Sequence, residues 1–476
     1  MTSVRLLAYS DTASLIADRQ ELRSIIMQDF KNFTSKHRNC WPHRNRKPRN
    51  LLRKPVELRD ESPTRKRRLH IILPLIAVLL VAYPVASYLT AGVRAAVRGK
   101  DKRGAVTSST ATNIPLDGYG TFSLAAGLLD RTREVNDKVV ATLPDGGTVV
   151  YCLDEALQER ISHLLDQFQV PYGVFVAIEP KTGRVLALVG RSAMDHGWDR
   201  RGPFDIYPMA SLFKIITATA ALEQKKVSPE TVVAFRGKMT SENPKYWEVG
   251  PRQRGQEMSL TTAMGKSVNP VFGRLAGDVV GRNSIMACAE KFGFNQDLFP
   301  GSGIAPSHAS TPQNDHDLKL MGAGLGREVK ISPVHVAALI GAVANGGIMM
   351  SPSLVDEIRN GKGEVVYRRT DQPLRRLMSP DTARQLAQML SSTVKSGTSR
   401  KAFHDRRGRP KFRDITIAAK TGSIDGKNPD GHYNWFAAYA PMNDPQIALV
   451  ALVVNGAKWK IKAPYVGEQA LETFFR

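Results

Sequence analysis

The spacing of apolar and polar positions changes character several times along the chain. Residues 71–93, "IILPLIAVLLVAYPVASYLTAGV", carry no charge. Their length matches the ~20 apolar residues that cross a bilayer as a helix, and proline is tolerated in such helices. "LDEALQERISHLLDQF" (residues 153–168) repeats apolar positions at intervals of three and four, which predicts an amphipathic helix. "GVFVAIEP" and "VLALVG" are apolar runs on either side of Lys181, Thr182 and Gly183, which predicts a hairpin. From residue 211 to about 397 the pattern is mostly helical with loops. Near the end, "ITIAAKTGSI", "YNWFAAYAP" and "QIALVALVVNG" read as three strands, and "VGEQALETFFR" closes the chain as a helix.

An early hairpin, three late strands and a terminal helix combine into an antiparallel sheet covered by helices, with a helical subdomain between them. This is an α+β architecture preceded by a single transmembrane helix. The expected divisions are a basic tail over residues 1–68, the transmembrane helix over 69–93, a linker and small β-rich lead-in over 94–148, and the main domain over 149–476. The tail lacks apolar periodicity ("HRNCWPHRNRKPRNLLRKP"), as expected of a poorly ordered segment.

Charge and cysteine content narrow the function classes. The 476 residues carry a formal net charge of +23, which suits nucleic acid, an anionic membrane surface or an acidic polymer. No zinc-finger spacing, aromatic ribonucleoprotein motif or Walker-type glycine loop accompanies that charge. Nucleic acid is therefore not expected as a partner, and contact of the basic flank with anionic lipid accounts for it more simply. Cys40, Cys152 and Cys288 are scattered, with no metal-ligand spacing and no disulfide framework, so neither metal nor cofactor is expected. Basic residues flank the uncharged run on both sides. The cluster Arg65 to Arg68 favours a cytoplasmic N-terminus, with the main domain outside the cytoplasm.

The segment "YPMASLFKIITATAALEQKK" places Ser211 and Lys214 three residues apart on one helical face, among Leu212, Phe213, Ile215 and Ile216. A charged ammonium is costly to bury unless it is paired or loses its proton. A desolvated lysine beside a hydroxyl is one way to activate a nucleophile. The alternative is a capping serine beside a lysine that snorkels to water. Two later stretches bear on the choice. "GKSVNPV" places Ser267 and Asn269 in a loop between two helices. The strand "ITIAAKTGSI" carries Lys420, Thr421, Gly422 and Ser423, where the glycine lets another chain lie close to the backbone. Each has an ordinary structural reading too, as a cap and as a strand followed by a turn.

Taken in order, Ser-x-x-Lys, Ser-x-Asn and Lys-Thr-Gly form a known signature. From about residue 149 to the C-terminus the chain resembles the transpeptidase domain of penicillin-binding proteins, of the monofunctional, class B-like kind. "YCLDEALQERI", "VAIEPKTGRVLALVG", "GREVKISPVHVAALIGAVANGGIMMSPSLV" and "NWFAAYAP" resemble further stretches of that family in its order. The resemblance implies a serine-type D-Ala-D-Ala transpeptidase that cross-links peptidoglycan stem peptides and is acylated by β-lactams. It implies Ser211 as nucleophile, Lys214 as proton acceptor, Ser267 as proton relay, Asn269 as holder of the lysine and the substrate peptide, and Lys420 as a positive charge. Thr421, Gly422 and Ser423 are implied to bind the substrate, with the backbone N–H groups of Ser211 and Ser423 as oxyanion hole. The implied setting is the bacterial cytoplasmic membrane beside cell-wall synthesis proteins such as a glycosyltransferase. Two features depart from the family: Ser423 stands where threonine is frequent, and the lead-in is short. Competing readings are a D,D-carboxypeptidase, a β-lactamase, or a membrane-anchored penicillin sensor of the same fold.

Overall fold

The structure, a computed structural model, describes residues 117–476. The uncharged run over residues 71–93 lies outside the described residues, as do the basic tail and Cys40. Among the described residues no helix is long and apolar enough to cross a membrane.

A helix α1 (Gly118–Ala126) leads into strands β1 (Arg133–Val135), β2 (Lys138–Thr142) and β3 (Thr148–Tyr151). Helix α2 (Glu155–Gln167) follows, capped by Asp154, whose side chain accepts from Leu157 N. It buries Leu157, Ile161, Leu164 and Leu165, the stripe that its sequence period predicts. Strands β4 (Tyr172–Ile178) and β5 (Val185–Arg191) form the expected hairpin. Its turn uses Gly183 at φ 79°, where a Cβ would lie 2.2 Å from Ser351 O. The helices that carry the site come next: α3 (Lys214–Glu223), α4 (Leu260–Lys266), α5 (Asn269–Arg274), α6 (Arg282–Lys291), α7 (Asp315–Gly322) and α8 (Pro333–Ala344). Strands β6 (Val355–Arg359) and β7 (Val365–Arg368), helix α9 (Pro380–Lys395), strands β8 (Ala418–Gly426), β9 (Gly431–Ala440) and β10 (Ile447–Asn455), and helix α10 (Ala463–Phe474) complete the chain.

The central sheet has the order β8-β9-β10-β4-β5 and is antiparallel throughout. Strand β8 is its edge beside the site. One face packs on α2 and α10 through Phe175, Phe436, Leu449 and Leu471. The other packs on α8 and the helical region through Val176, Trp435, Val450 and Ile340. All nine residues of β10 are buried. A strand covered on both faces needs no polar side, so "IALVALVV" is apolar without alternation.

Two regions differ from the sequence expectation. Residues 118–126 are helical rather than part of a β-rich lead-in, and β1 to β3 join β6 and β7 in a second five-stranded antiparallel sheet. The region from 211 to 397 also contains strands, including the paired segments Val232–Phe235 and Gln256–Ser259. These strands are only three to five residues long, too short for an alternation of apolar and polar positions to stand out.

A buried hydrogen bond ties the sheet to the strand that leads into the site: Trp435 Nε1 in β9 donates to Pro208 O at 2.9 Å. Trp435→Phe keeps most of the ring volume but removes the donor. Leaving a buried carbonyl without its donor costs about 1–3 kcal/mol, so urea unfolding is expected to show a loss of that size. An unchanged midpoint would mean that Trp435 acts through packing alone.

Candidate active site

The chain enters the site along Tyr207–Pro208, which pairs with Lys330–Ile331. Ala210 then takes φ 53°, a left-handed conformation that is uncommon for a residue with a Cβ and clusters at functional sites. The turn Ala210–Phe213 is a 3₁₀ helix, and α3 begins only at Lys214. The sequence pattern places a helix from Ser211; its first turn is tighter than α, as short helix starts often are. Every residue from Lys214 to Leu222 is buried, so α3 is enclosed on all sides and offers Lys214 no route to water.

Lys214 is fully buried and its Nζ has three polar neighbours. Ser211 Oγ lies at 2.7 Å, Asn269 Oδ1 at 2.8 Å and Ala323 O at 2.5 Å. Burial holds the amine well below the usual lysine range, and the charge of Lys420 pushes it further down. A neutral amine has two N–H donors and one lone pair. The two carbonyl oxygens occupy the donors, which leaves the lone pair facing the Ser211 hydroxyl. That arrangement can take a proton from the serine.

Ser267 caps α4 in the left-handed region (φ 56°), and Asn269 opens α5 with Pro270 behind it. The tight reversal between two helices turns both side chains to one side. Asn269 N donates to Met239 O, which fixes the loop from behind. Lys420 on β8 is also fully buried, and its Nζ donates to Ser267 Oγ (2.7 Å) and Thr421 O (2.8 Å). Burial lowers its pKa to about 7. The two lysines and two serines thus form one hydroxyl–amine cluster assembled from α3, the α4–α5 turn and the sheet edge.

Gly422 lies directly against the Ser211 turn: a Cβ there would sit 3.2 Å from Ala210 Cβ and 3.4 Å from Ser211 N. Thr421 Oγ1 shares a 2.6 Å hydrogen bond with Thr398 Oγ1. Ser423, the exposed residue of this stretch, accepts from Asn434 Nδ2 at 2.9 Å. All eight residues singled out in the sequence therefore fall in two facing groups, one on the helices and one on β8.

Several contributors are absent from the sequence reading. The end of α7 backs the Ser211 turn: Gly322 O accepts from Thr217 Oγ1, Ala323 O from Lys214, and Gly324 (φ 70°) would place a Cβ 2.4 Å from Ala210 O. The glycine cluster "GAGLG" is the signal for it in the sequence. Thr398 and Asn434 carry no such signal. Cys152 and Cys288 are both free thiols. Among the described residues no group of histidine, cysteine and acidic side chains is arranged to hold a metal. Glu290 sits exposed on α6, and the polar partners of Lys214 include no carboxylate.

Residues 173–471 match the model of the penicillin-binding protein transpeptidase domain. The chain belongs to this family. It is 26% identical over 362 residues to the peptidoglycan D,D-transpeptidase PbpA of Mycobacterium tuberculosis, covering 68% of this chain and 71% of that protein. Stage V sporulation protein D of Bacillus subtilis is 25% identical over 346 residues, 65% of this chain and 50% of its own length. Among solved structures, PBPA from Mycobacterium tuberculosis aligns with a TM-score of 0.57 at 23% identity, covering 69% of this chain and 82% of that one. The D,D-transpeptidase domain of a peptidoglycan glycosyltransferase from Eggerthella lenta aligns at 0.59 and 23% identity, covering 76% and 91%. These structures share the α+β fold described above.

Gly324→Ala tests whether the α7 end sets the nucleophile. The added methyl overlaps the Ala210 carbonyl and must displace Ser211, and a shift of about 1 Å can cost on the order of 100-fold in rate. Acylation of the variant by benzylpenicillin is expected to be slowed at least tenfold, with circular dichroism unchanged. A parent-like rate would show that the Ser211 turn tolerates the displacement.

Proposed function

We propose that this protein is a serine-type peptidoglycan D,D-transpeptidase that cross-links stem peptides through an acyl-serine intermediate and binds penicillin covalently. The observation that carries the reading is the fully buried Lys214 amine, 2.7 Å from Ser211 Oγ with its other neighbours both acceptors.

In this reading Ser211 Oγ attacks the penultimate D-Ala carbonyl while its proton passes to Lys214. The backbone N–H groups of Ser211 and Ser423 receive the developing oxyanion, which the closeness of Gly422 to Ser211 N supports. The C–N bond breaks, and the departing D-Ala nitrogen takes a proton relayed through Ser267. Lys420 holds Ser267 and adds positive charge near the terminal carboxylate. Thr421 and Ser423 bind that carboxylate, and the stem peptide lies as an added strand along β8. An amine from a second stem peptide then attacks the acyl carbon. The new C–N bond releases Ser211, whose oxygen recovers its proton.

The absence of a carboxylate among the polar partners of Lys214 favours a long-lived acyl-enzyme over the fast hydrolysis of a β-lactamase. For the part of the chain outside the described residues, the uncharged run over residues 71–93 is a membrane anchor in this reading. Residues 1–68 are then cytoplasmic, and 94–148 link the anchor to a transpeptidase domain over 149–476 on the outer side, next to a glycosyltransferase partner. A C-terminal reporter that works only in the cytoplasm is expected to stay silent; an active one inverts the topology.

Intact-mass spectrometry after benzylpenicillin treatment is expected to show one adduct, on a peptide containing Ser211, and none in Ser211→Ala. An adduct elsewhere overturns the assignment. The base must be neutral, so acylation rises with pH through the lowered pKa of Lys214 and levels off well below the ~10.4 of a free lysine. Arginine keeps its proton, so Lys214→Arg is expected to acylate at least about 100-fold more slowly. A variant within a few-fold of the parent would remove Lys214 from the role of base.

A further inference from the structure

Asn434 stands directly opposite Ser423 in the β8–β9 register. It is nearly buried, and both ends of its amide are engaged. Its Oδ1 accepts from Ala463 N at 2.7 Å, at the first residue of α10, and its Nδ2 donates to Ser423 Oγ at 2.9 Å. The preceding Lys462 offers that N–H no side-chain cap.

These two bonds fix a direction. A backbone N–H can only donate, so the amide oxygen must face Ala463 and the amide nitrogen must face Ser423. An amide nitrogen can only donate, so Ser423 Oγ is an acceptor in that contact. Its own hydrogen is left for another acceptor. On the same face of β8, Thr421 has already paired with Thr398, and Ser423 is the exposed member of the pair.

We infer that Asn434 is a positioning residue that fixes the Ser423 hydroxyl as a hydrogen-bond donor to the carboxylate of the acyl donor. This rests on the acyl-transfer reading above. A carboxylate is an acceptor only, so the polarity of Ser423 decides whether the contact attracts or repels. Asn434 also holds the rotamer. Serine lacks the γ-methyl that stiffens χ1 in a β-branched residue, and the amide bond supplies the restraint instead. The series runs from the Ala463 N–H through Asn434 to Ser423 and the ligand, each bond polarising the next.

The isosteric change Asn434→Asp tests polarity. It still accepts from Ala463 N but offers Ser423 an acceptor. Ser423 then donates inward and turns lone pairs, beside a new negative charge, toward the ligand. Acylation by benzylpenicillin is expected to fall at least about tenfold, the scale of losing one hydrogen bond to a charged group. Acylation by its methyl ester, which carries no carboxylate, is expected to fall no more than about threefold by the same reasoning. The second pair of variants tests the rotamer. Asn434→Ala is expected to slow acylation by the free acid, and adding Ser423→Thr to it is expected to restore the rate to within about threefold of the parent. A purely structural role for Asn434 would lower Tm and slow both ligands alike, and threonine would not rescue it. Equal losses on acid and ester, a parent-like rate in Asn434→Asp, or failure of the threonine rescue would each overturn the inference. If Asn434→Asp does not fold, the alanine–threonine pair decides alone. If the parent forms no adduct with penicillin, the acyl-transfer reading itself falls and takes this inference with it.

Discussion

The arrangement of the catalytic region turns on one constraint: an amine is held where water cannot reach it. Lys214 is fully buried, and an uncompensated ammonium there would cost far more than a single domain can spare. The fold meets this cost in two ways. It supplies two carbonyl oxygens from different elements, Asn269 on α5 and Ala323 after α7, and it lowers the pKa by burial and by the nearby Lys420. The amine that results has a pKa well below the usual lysine range and lies 2.7 Å from a hydroxyl. Its placement therefore depends on three segments far apart in sequence staying in register.

That dependence explains why so much of the nearby backbone is unusual. Ala210 and Ser267 both adopt left-handed φ despite having side chains, and Gly324 does so behind the Ser211 turn. Such conformations persist only when surrounding packing dictates them. Here α3 is enclosed on every side, and the Trp435–Pro208 bond ties β9 to the segment just before the Ser211 turn. Gly422 and Gly324 leave out the methyl groups that would push the two halves apart. The site is a narrow seam between a helical region and a sheet edge, and its precision comes from close backbone approach.

The strand β8 brings a second chemistry to the seam. Lys420 is buried at a pKa of about 7 and joined to Ser267, whereas Ser423 stands exposed with its hydroxyl held from behind by Asn434. The Lys420–Ser267 contact thus lies on the dry side of the seam and the Ser423 hydroxyl on its open side. Successive side chains of a strand point to opposite faces, so Lys420 and Ser423, three residues apart, lie on opposite faces of β8.

Much of this was legible in the amino-acid order. The stripe of α2, the β4–β5 hairpin, the apolar runs of β8 to β10 and the closing helix α10 follow from local periodicity, which is set by neighbours a few residues away. Ser211 and Lys214 could be paired because helical spacing alone puts them one turn apart, and the eight candidate residues could be named from three short motifs. The pairing of β3 with β6 could not, because residues about 200 positions apart leave no periodic trace in either segment. Thr398 and Asn434 were hidden too, since a hydroxyl and an amide are ordinary in sequence and gain meaning only from what faces them, whereas Ala323 and Gly324 lie in the glycine cluster that marks the end of α7. The sequence by itself determined which groups the chain possesses and which local elements carry them. Tertiary structure decided that a lysine would lose its water, that the Asn269 and Ala323 oxygens would surround its amine, and that the Asn434 amide would meet the Ser423 hydroxyl, since desolvation and hydrogen-bond partners are properties of a three-dimensional neighbourhood.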